Sequence, residues 1–269
     1  MKASGMLRIL LGMIFLVSTC ALLLQFRDKA AGSESYRSAA AIAASAPKKE
    51  TAPSQTEEAV HPDWVPEEIT GDPHMEDLAG LDLAALQAVN PQVVGWIRIP
   101  DSRIDYPILQ GTDNDYYLNH TWDGKENSVG SIFLEHRNTP DFTDFNTILY
   151  GHNMNDGSMF ANIRRYNTLW YWQQHPYVYL ATAEGVFRYE VFSAYESSTE
   201  GVAYGLSFRQ EETKATFLST AIQKTAVDAG IRPELHDRVL TLSTCSGMGY
   251  ASRWVLHARL KMVKAQSEN

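Results

Sequence analysis

Cysteine is nearly absent from this 269-residue chain. Only Cys20 and Cys245 occur, one inside an apolar run and the other near the far end, so they cannot pair and no disulfide framework exists. Metal-ligand spacing is missing too. None of the eight histidines belongs to an H-E-x-x-H pattern and there is no C-x-x-C, which argues against a zinc site. No internal repeat is present. Positive charge is in deficit: the formal net charge of −9 argues against a surface that tracks nucleic-acid phosphates. Much of that charge is local, because eight acids and three bases lie between Ala30 and Met75. The remainder is only mildly acidic, so charge says little about a substrate. Apolar residues make up 44% of the chain, enough for a real core, and the length suits one globular domain with accessory segments.

The segment Ile9–Phe26 contains no charge and as a helix would be roughly 27 Å long, close to the ~30 Å thickness of a bilayer core. It reads as a signal anchor. The competing reading is a cleaved signal peptide, for which Ala30-Ala31-Gly32 offers small residues. Lys2 and Arg8 precede the run and Arg27 and Lys29 come after it, so basic residues leave its orientation open. From Ala30 to about Met75 the chain is rich in Ala, Ser, Glu and Pro and reads as a disordered tether, its ends about 37 Å apart on average. The expected division is a short tip and transmembrane anchor over 1–29, a tether over 30–76, a folded domain over 77–263 and a tail over 264–269.

Within the domain the apolar spacing predicts a helix over Leu78–Val89, stopped by Asn90-Pro91. Short β-branched or aromatic runs then predict eight strands: Val93–Ile99, Ile104–Leu109, Ser131–Glu135, Thr147–Tyr150, Tyr177–Ala181, Val186–Tyr195, Val239–Thr244 and Arg253–Lys261. Eight such strands suggest a closed barrel, which removes exposed edges. One long helix interrupts the late strands. Ser207-Phe208-Arg209-Gln210 fits a capping box, Phe217, Leu218, Ala221, Ile222 and Thr225 form an apolar stripe, and Gly230 suits the C-cap. The fold class is therefore mainly β with accessory helices.

Three residues have chemistry to offer. Cys245 comes after a strand and precedes the Gly-containing stretch Ser246-Gly247-Met248-Gly249. His152 lies just past the apolar strand Thr147–Tyr150, and an imidazole there can exchange a proton near neutral pH. Arg253 opens the strand after Cys245, and hairpin pairing would bring its five-donor fork near the thiol. Taken singly, each has a plain structural explanation: a buried small hydrophobe, a packing histidine, a snorkelling strand-end arginine. His120, His136 and His175 read as surface or packing residues.

Taken together, Thr241-Leu242-Ser243-Thr244-Cys245 with Arg253 downstream resembles the TLxTC signature of the sortase family. Leu149-Tyr150-Gly151-His152-Asn153 resembles its histidine motif. The similarity extends through Asn90-Pro91-Gln92-Val93-Val94-Gly95-Trp96-Ile97, Ile104-Asp105-Tyr106-Pro107-Ile108 and Met159-Phe160-Ala161-Asn162. The entry segment and the two helices look like class B. The resemblance implies a closed eight-stranded barrel, with Cys245 as nucleophile, His152 as general acid/base and Arg253 as oxyanion or substrate stabiliser. It makes Ser243 and Ser246 candidates for substrate binding and calls for neither metal nor cofactor. It further implies secreted protein substrates with an NPxTx-like C-terminal sorting signal, and an amine of a peptidoglycan precursor as acceptor. The anchor then makes a single pass, with the catalytic domain outside the cell. A pilin-polymerising sortase and a hydrolytic cysteine peptidase remain as alternatives.

Overall fold

The computed structural model describes residues 2–45, 71–245 and 252–265. Helix α1 runs without a break over Lys2–Ala43. Two short helices come next, α2 (Pro73–Ala79) and α3 (Leu83–Val89). The strands are β1 (Val93–Arg98), β2 (Asp105–Leu109), β3 (Ile132–Leu134), β4 (Asn146–Tyr150), β5 (Tyr177–Thr182), β6 (Gly185–Ser198), β7 (Val239–Cys245) and β8 (Ser252–Ala265). Helix α4 (Leu169–Gln174) precedes β5, and α5 (Glu211–Lys224) lies between β6 and β7.

As the short, turn-bounded runs predict, the strands close into one barrel in the order β1-β2-β3-β4-β7-β8-β6-β5. β5 completes the ring by pairing with β1. The β2–β3 and β4–β7 pairs are parallel and the others antiparallel. Ile97, Ile108, Leu149, Leu180, Leu240, Leu242 and Leu256 belong to the main core. A second core lies under α5, where Phe217, Leu218 and Ala221 meet Phe192, Tyr195, Val239 and Val255.

Four local expectations need correction. The single helix expected over Leu78–Val89 is two helices: Gly80 caps the first, and the Asp82 side chain accepts from Ala85 N to start the second. The capping box at Ser207–Gln210 does not form, since Gln210 is the N-cap and makes no side-chain cap bond. Nor does α5 reach Gly230. Thr225 turns extended and accepts a hydrogen bond from Ala194 N instead, ending the helix there, and Ile222 is only half-buried.

The largest difference concerns the tether. Ala30–Ala43 continues α1, and Tyr36, Ala39 and Ala43 are buried against the domain. Alanine is the best helix former and its small side chain permits close approach, so the alanine content read as disorder supports a docked helix. Tyr36 Oη donates to Gly130 O at 2.5 Å, Trp122 Nε1 donates to Ser35 O, and Asn127 Nδ2 donates to Asp28 O. Asp72, also expected in the tether, caps α2 and pairs with the buried Arg188 at 3.0 Å. Burial alone would raise the Asp72 carboxyl, but Arg188 and Tyr179 hold it below the usual range. Residues 46–70 of the expected tether lie outside the described residues.

Candidate active site

Parallel pairing of β4 with β7 sets Tyr150 beside Ser243. The ladder continues one step further, with Gly151 N donating to Ser243 O at 3.1 Å. Gly151 has no room for a side chain: a Cβ there would lie 2.4 Å from Ile132 Cδ1 and 2.8 Å from Phe160 Cδ2. His152 is the next residue. Its Nε2 lies 2.6 Å from Leu118 O. A carbonyl can only accept, so Nε2 carries the hydrogen and Nδ1 is the nitrogen left to exchange a proton. Gly130, at φ +60°, packs against this ring, and a Cβ there would be 3.0 Å from His152 Cδ2 and 2.6 Å from Leu118 O. The same residue's carbonyl receives Tyr36 Oη, so α1 docks one residue away from the histidine's support.

β7 and β8 form the expected hairpin, and Cys245 stands directly opposite Arg253. Across the other edge of β8, Arg253 faces Ser197 of β6. The Arg253 side chain is half-buried and donates through Nη1 to Ser252 O at 3.1 Å. Ser243 is buried, and its hydroxyl is engaged by Tyr204 Oη at 2.8 Å. Ser246 lies outside the described residues. Tyr204, rather than Ser243, lines a cleft of about 610 Å³ that it shares with Val202, Phe208 and Thr216.

Several residues around the site carry no obvious signal in the sequence. The Glu135 carboxyl is buried, and burial alone would raise it, yet hydrogen bonds from Arg137, Asn114 and Tyr150 hold it below the usual carboxylate range. Burial, and then the Glu135 charge, push the Tyr150 phenol upward. Tyr150 in turn stacks at 6.4 Å on Tyr204.

Behind this wall runs a buried polar chain. Thr241 Oγ1 donates to Asn146 Oδ1 at 2.6 Å, which commits its only hydrogen. His257 Nδ1, 2.8 Å from the same oxygen, must therefore be the donor. Its Nε2 then accepts from Tyr195 Oη at 3.2 Å. At the other end Asn146 Nδ2 donates to Ala203 O and Gly205 O, clamping the turn that carries Tyr204. Burial pushes the His257 imidazole down to about 3, so it stays neutral.

Residues 97–261 match the family model described as the Sortase domain. The chain is 40% identical to the Sortase B of Listeria monocytogenes over 164 residues, covering 61% of this chain and 67% of that protein. It is 32% identical to the Sortase B of Staphylococcus aureus over 161 residues, 60% of this chain and 66% of that one. Among solved structures, the sortase B of B. anthracis in complex with AAEK1 superposes with a TM-score of 0.70 at 30% identity, covering 89% of this chain and 99% of that one. The S. aureus sortase B–substrate complex superposes with a TM-score of 0.64 at 29% identity, covering 71% and 87%. With its closed barrel and the Thr241–Cys245 motif ending the strand beside Leu149–Asn153, the chain belongs to the sortase family and, within it, to class B, a family of cysteine transpeptidases.

Proposed function

We propose that Cys245 is the nucleophile, His152 the general acid and base, and Arg253 the oxyanion donor of a transpeptidase that anchors secreted proteins to the cell wall. One observation carries this reading: Cys245 stands in register with Arg253, on a strand whose parallel neighbour runs straight into His152. The Cys245 thiolate attacks a carbonyl in the sorting signal, and the resulting oxyanion is met by the Arg253 guanidinium. His152 gives its proton to the departing amine as the C–N bond breaks, leaving a thioacyl enzyme. The acceptor amine then attacks, passes its proton to His152, and expels Cys245 as thiolate. With Nε2 committed to Leu118 O, Nδ1 is the nitrogen that exchanges the proton.

The donor is a protein with an NPxTx-like C-terminal signal, and the acceptor is an amine of a peptidoglycan precursor. The first half of α1, exposed and apolar from Leu11 to Phe26, is the single-pass anchor, with the catalytic domain outside the cell. Protease added to intact, wall-stripped cells releases the folded domain if this orientation is right.

Steady-state kinetics on one cleavable sorting peptide, with and without an added amine, test the roles. Cys245→Ala abolishes cleavage and thioacyl formation, and His152→Ala is nearly inactive. Arg253→Lys keeps the charge but loses the planar fork, lowering kcat on the order of 10²–10³. A pure rise in KM for that variant would remove the oxyanion role and leave substrate binding. A product that stays hydrolytic when amine is supplied would make the enzyme a peptidase.

A further inference from the structure

A transpeptidase must admit two substrates, and of two clefts formed by the described residues one adjoins the catalytic strand end. The cleft beside Tyr204 lies on the side of α5. The other, of about 440 Å³, is lined by Asn153, Arg164, Arg165, Asn167, Glu196 and Trp254. Its position is set by the catalytic residues themselves. Asn153 is next to His152, Trp254 is next to Arg253, and Glu196 precedes the Ser197 that pairs with Arg253. We propose that this second cleft receives the acceptor and selects a primary amine that lies beside a carboxylate. This rests on the transpeptidase reading given above.

The chemistry of the lining favours such a ligand. Glu196 is exposed and can hold an ammonium, while Arg164 and Arg165 can hold a carboxylate. Among the described residues none of the three forms an ion pair, so their charges face the cleft uncompensated. The Arg165 guanidinium lies 4.6 Å above the Tyr171 ring, which orients it in advance. Of the lining residues, Trp254 has a buried and unpartnered Nε1, and Thr244, which faces it across β7 and β8, has a buried and unpartnered Oγ1. The buried Trp254 N–H, on the residue next to Arg253, supplies a donor for an acceptor oxygen. The ammonium leaves one proton on the Glu196 carboxylate, and the neutral amine attacks the thioacyl carbon. A C–N bond forms, the C–S bond breaks, and the amine proton passes to His152.

Glycine and glycinamide form a pair of acceptors that differ in the carboxylate, and because the carboxylate also makes the glycine amine more basic, transfer is compared per unprotonated amine. The full chain in detergent is charged with a sorting peptide, and thioacyl formation and transfer to each acceptor are measured separately. The wild type is expected to use glycine with at least a tenfold higher kcat/KM than glycinamide. The pair Arg164→Met with Arg165→Met removes that preference, lowering transfer to glycine about tenfold and to glycinamide less than twofold. Glu196→Gln lowers transfer to both. In all of these variants thioacyl formation moves less than threefold. A wild type indifferent to the carboxylate, or variants that slow thioacyl formation and transfer alike, would overturn the cleft assignment. A wild type that forms no thioacyl enzyme overturns the transpeptidase reading itself, and the cleft assignment with it.

Discussion

His257 makes the stability of this domain acid-sensitive in a way that can be worked out beforehand. Its ring is wholly buried among Phe192, Tyr195 and Phe217, and bonded to Thr241 and Tyr195, with no carboxylate against it among the described residues. Burial lowers its pKa from 6.5 to about 3. In the unfolded chain the imidazole titrates normally, so as pH falls below about 6.5 the unfolded state gains a proton that the folded state refuses. Stability is therefore whole above that value and is lost as pH falls towards 3. At about 1.36 kcal/mol per tenfold change, the complete loss is about 5 kcal/mol, of which about 2 kcal/mol is gone between pH ~7.5 and pH ~5. That is a large part of an ordinary domain's 5–15 kcal/mol. Carboxylates also titrate in this range, so the comparison is with His257→Gln, which keeps polar atoms but cannot take up the proton. Urea unfolding of the full chain in detergent, monitored by circular dichroism at both pH values, should show the wild type losing about 2 kcal/mol more than the variant. Parallel losses in the two proteins would mean that His257 is solvated or paired, and the buried chain from Tyr195 to Asn146 would not exist as described.

Other perturbations read other parts of the molecule. Phe217→Ala empties the centre of the second core and should cost about 3–5 kcal/mol in the same unfolding assay; under about 1 kcal/mol would make α5 peripheral. Gly130→Ala drives a methyl into Leu118 O and the His152 ring, so peptide turnover should fall roughly tenfold to a hundredfold in a protein that still folds. Thr241→Val leaves Asn146 Oδ1 and the His257 Nδ1–H without their partner and should destabilise by about 2–4 kcal/mol, with Thr241→Ser restoring most of it.

The barrel was legible in the sequence because each strand is a short β-branched or aromatic run bounded by turn residues, a pattern that depends on local chemistry alone. The Cys245–Arg253 pairing was legible for a similar reason, since a hairpin brings its two strands together whatever surrounds it. The docking of Ala30–Ala43 was not. It depends on Gly32, Ser35 and Tyr36 meeting Val129, Trp122 and Gly130, a surface assembled only by the tertiary fold. The burial of Ser243 escaped for the same reason: its partner Tyr204 sits 39 positions away, on a turn held by Asn146. Alternation in β8 puts His257 on the face of Arg253 and Arg259, opposite Trp254, Leu256, Ala258 and Leu260, which suggests an exposed residue, and nothing local reveals that Thr241 and Tyr195 satisfy both its buried nitrogens.

Parallel pairing of β4 with β7 is the feature that makes one site from distant parts of the chain. Parallel neighbours finish at the same end of a barrel, so the loop leaving β4 and the last residue of β7 share that end whatever lies between them. Between Tyr150 and Val239 lie β5, β6 and α5, and that length is what a parallel return requires. Had β4 and β7 paired antiparallel, the five residues of β4 would have carried His152 about 17 Å away, to the opposite end from Cys245. β8 then supplies the antiparallel step, its first residues lying across from the last of β7. The histidine thus depends on the long-range ladder, and the arginine on the local hairpin. Damage to the β4–β7 ladder, for example through Asn146, should displace His152 while leaving Arg253 across from Cys245.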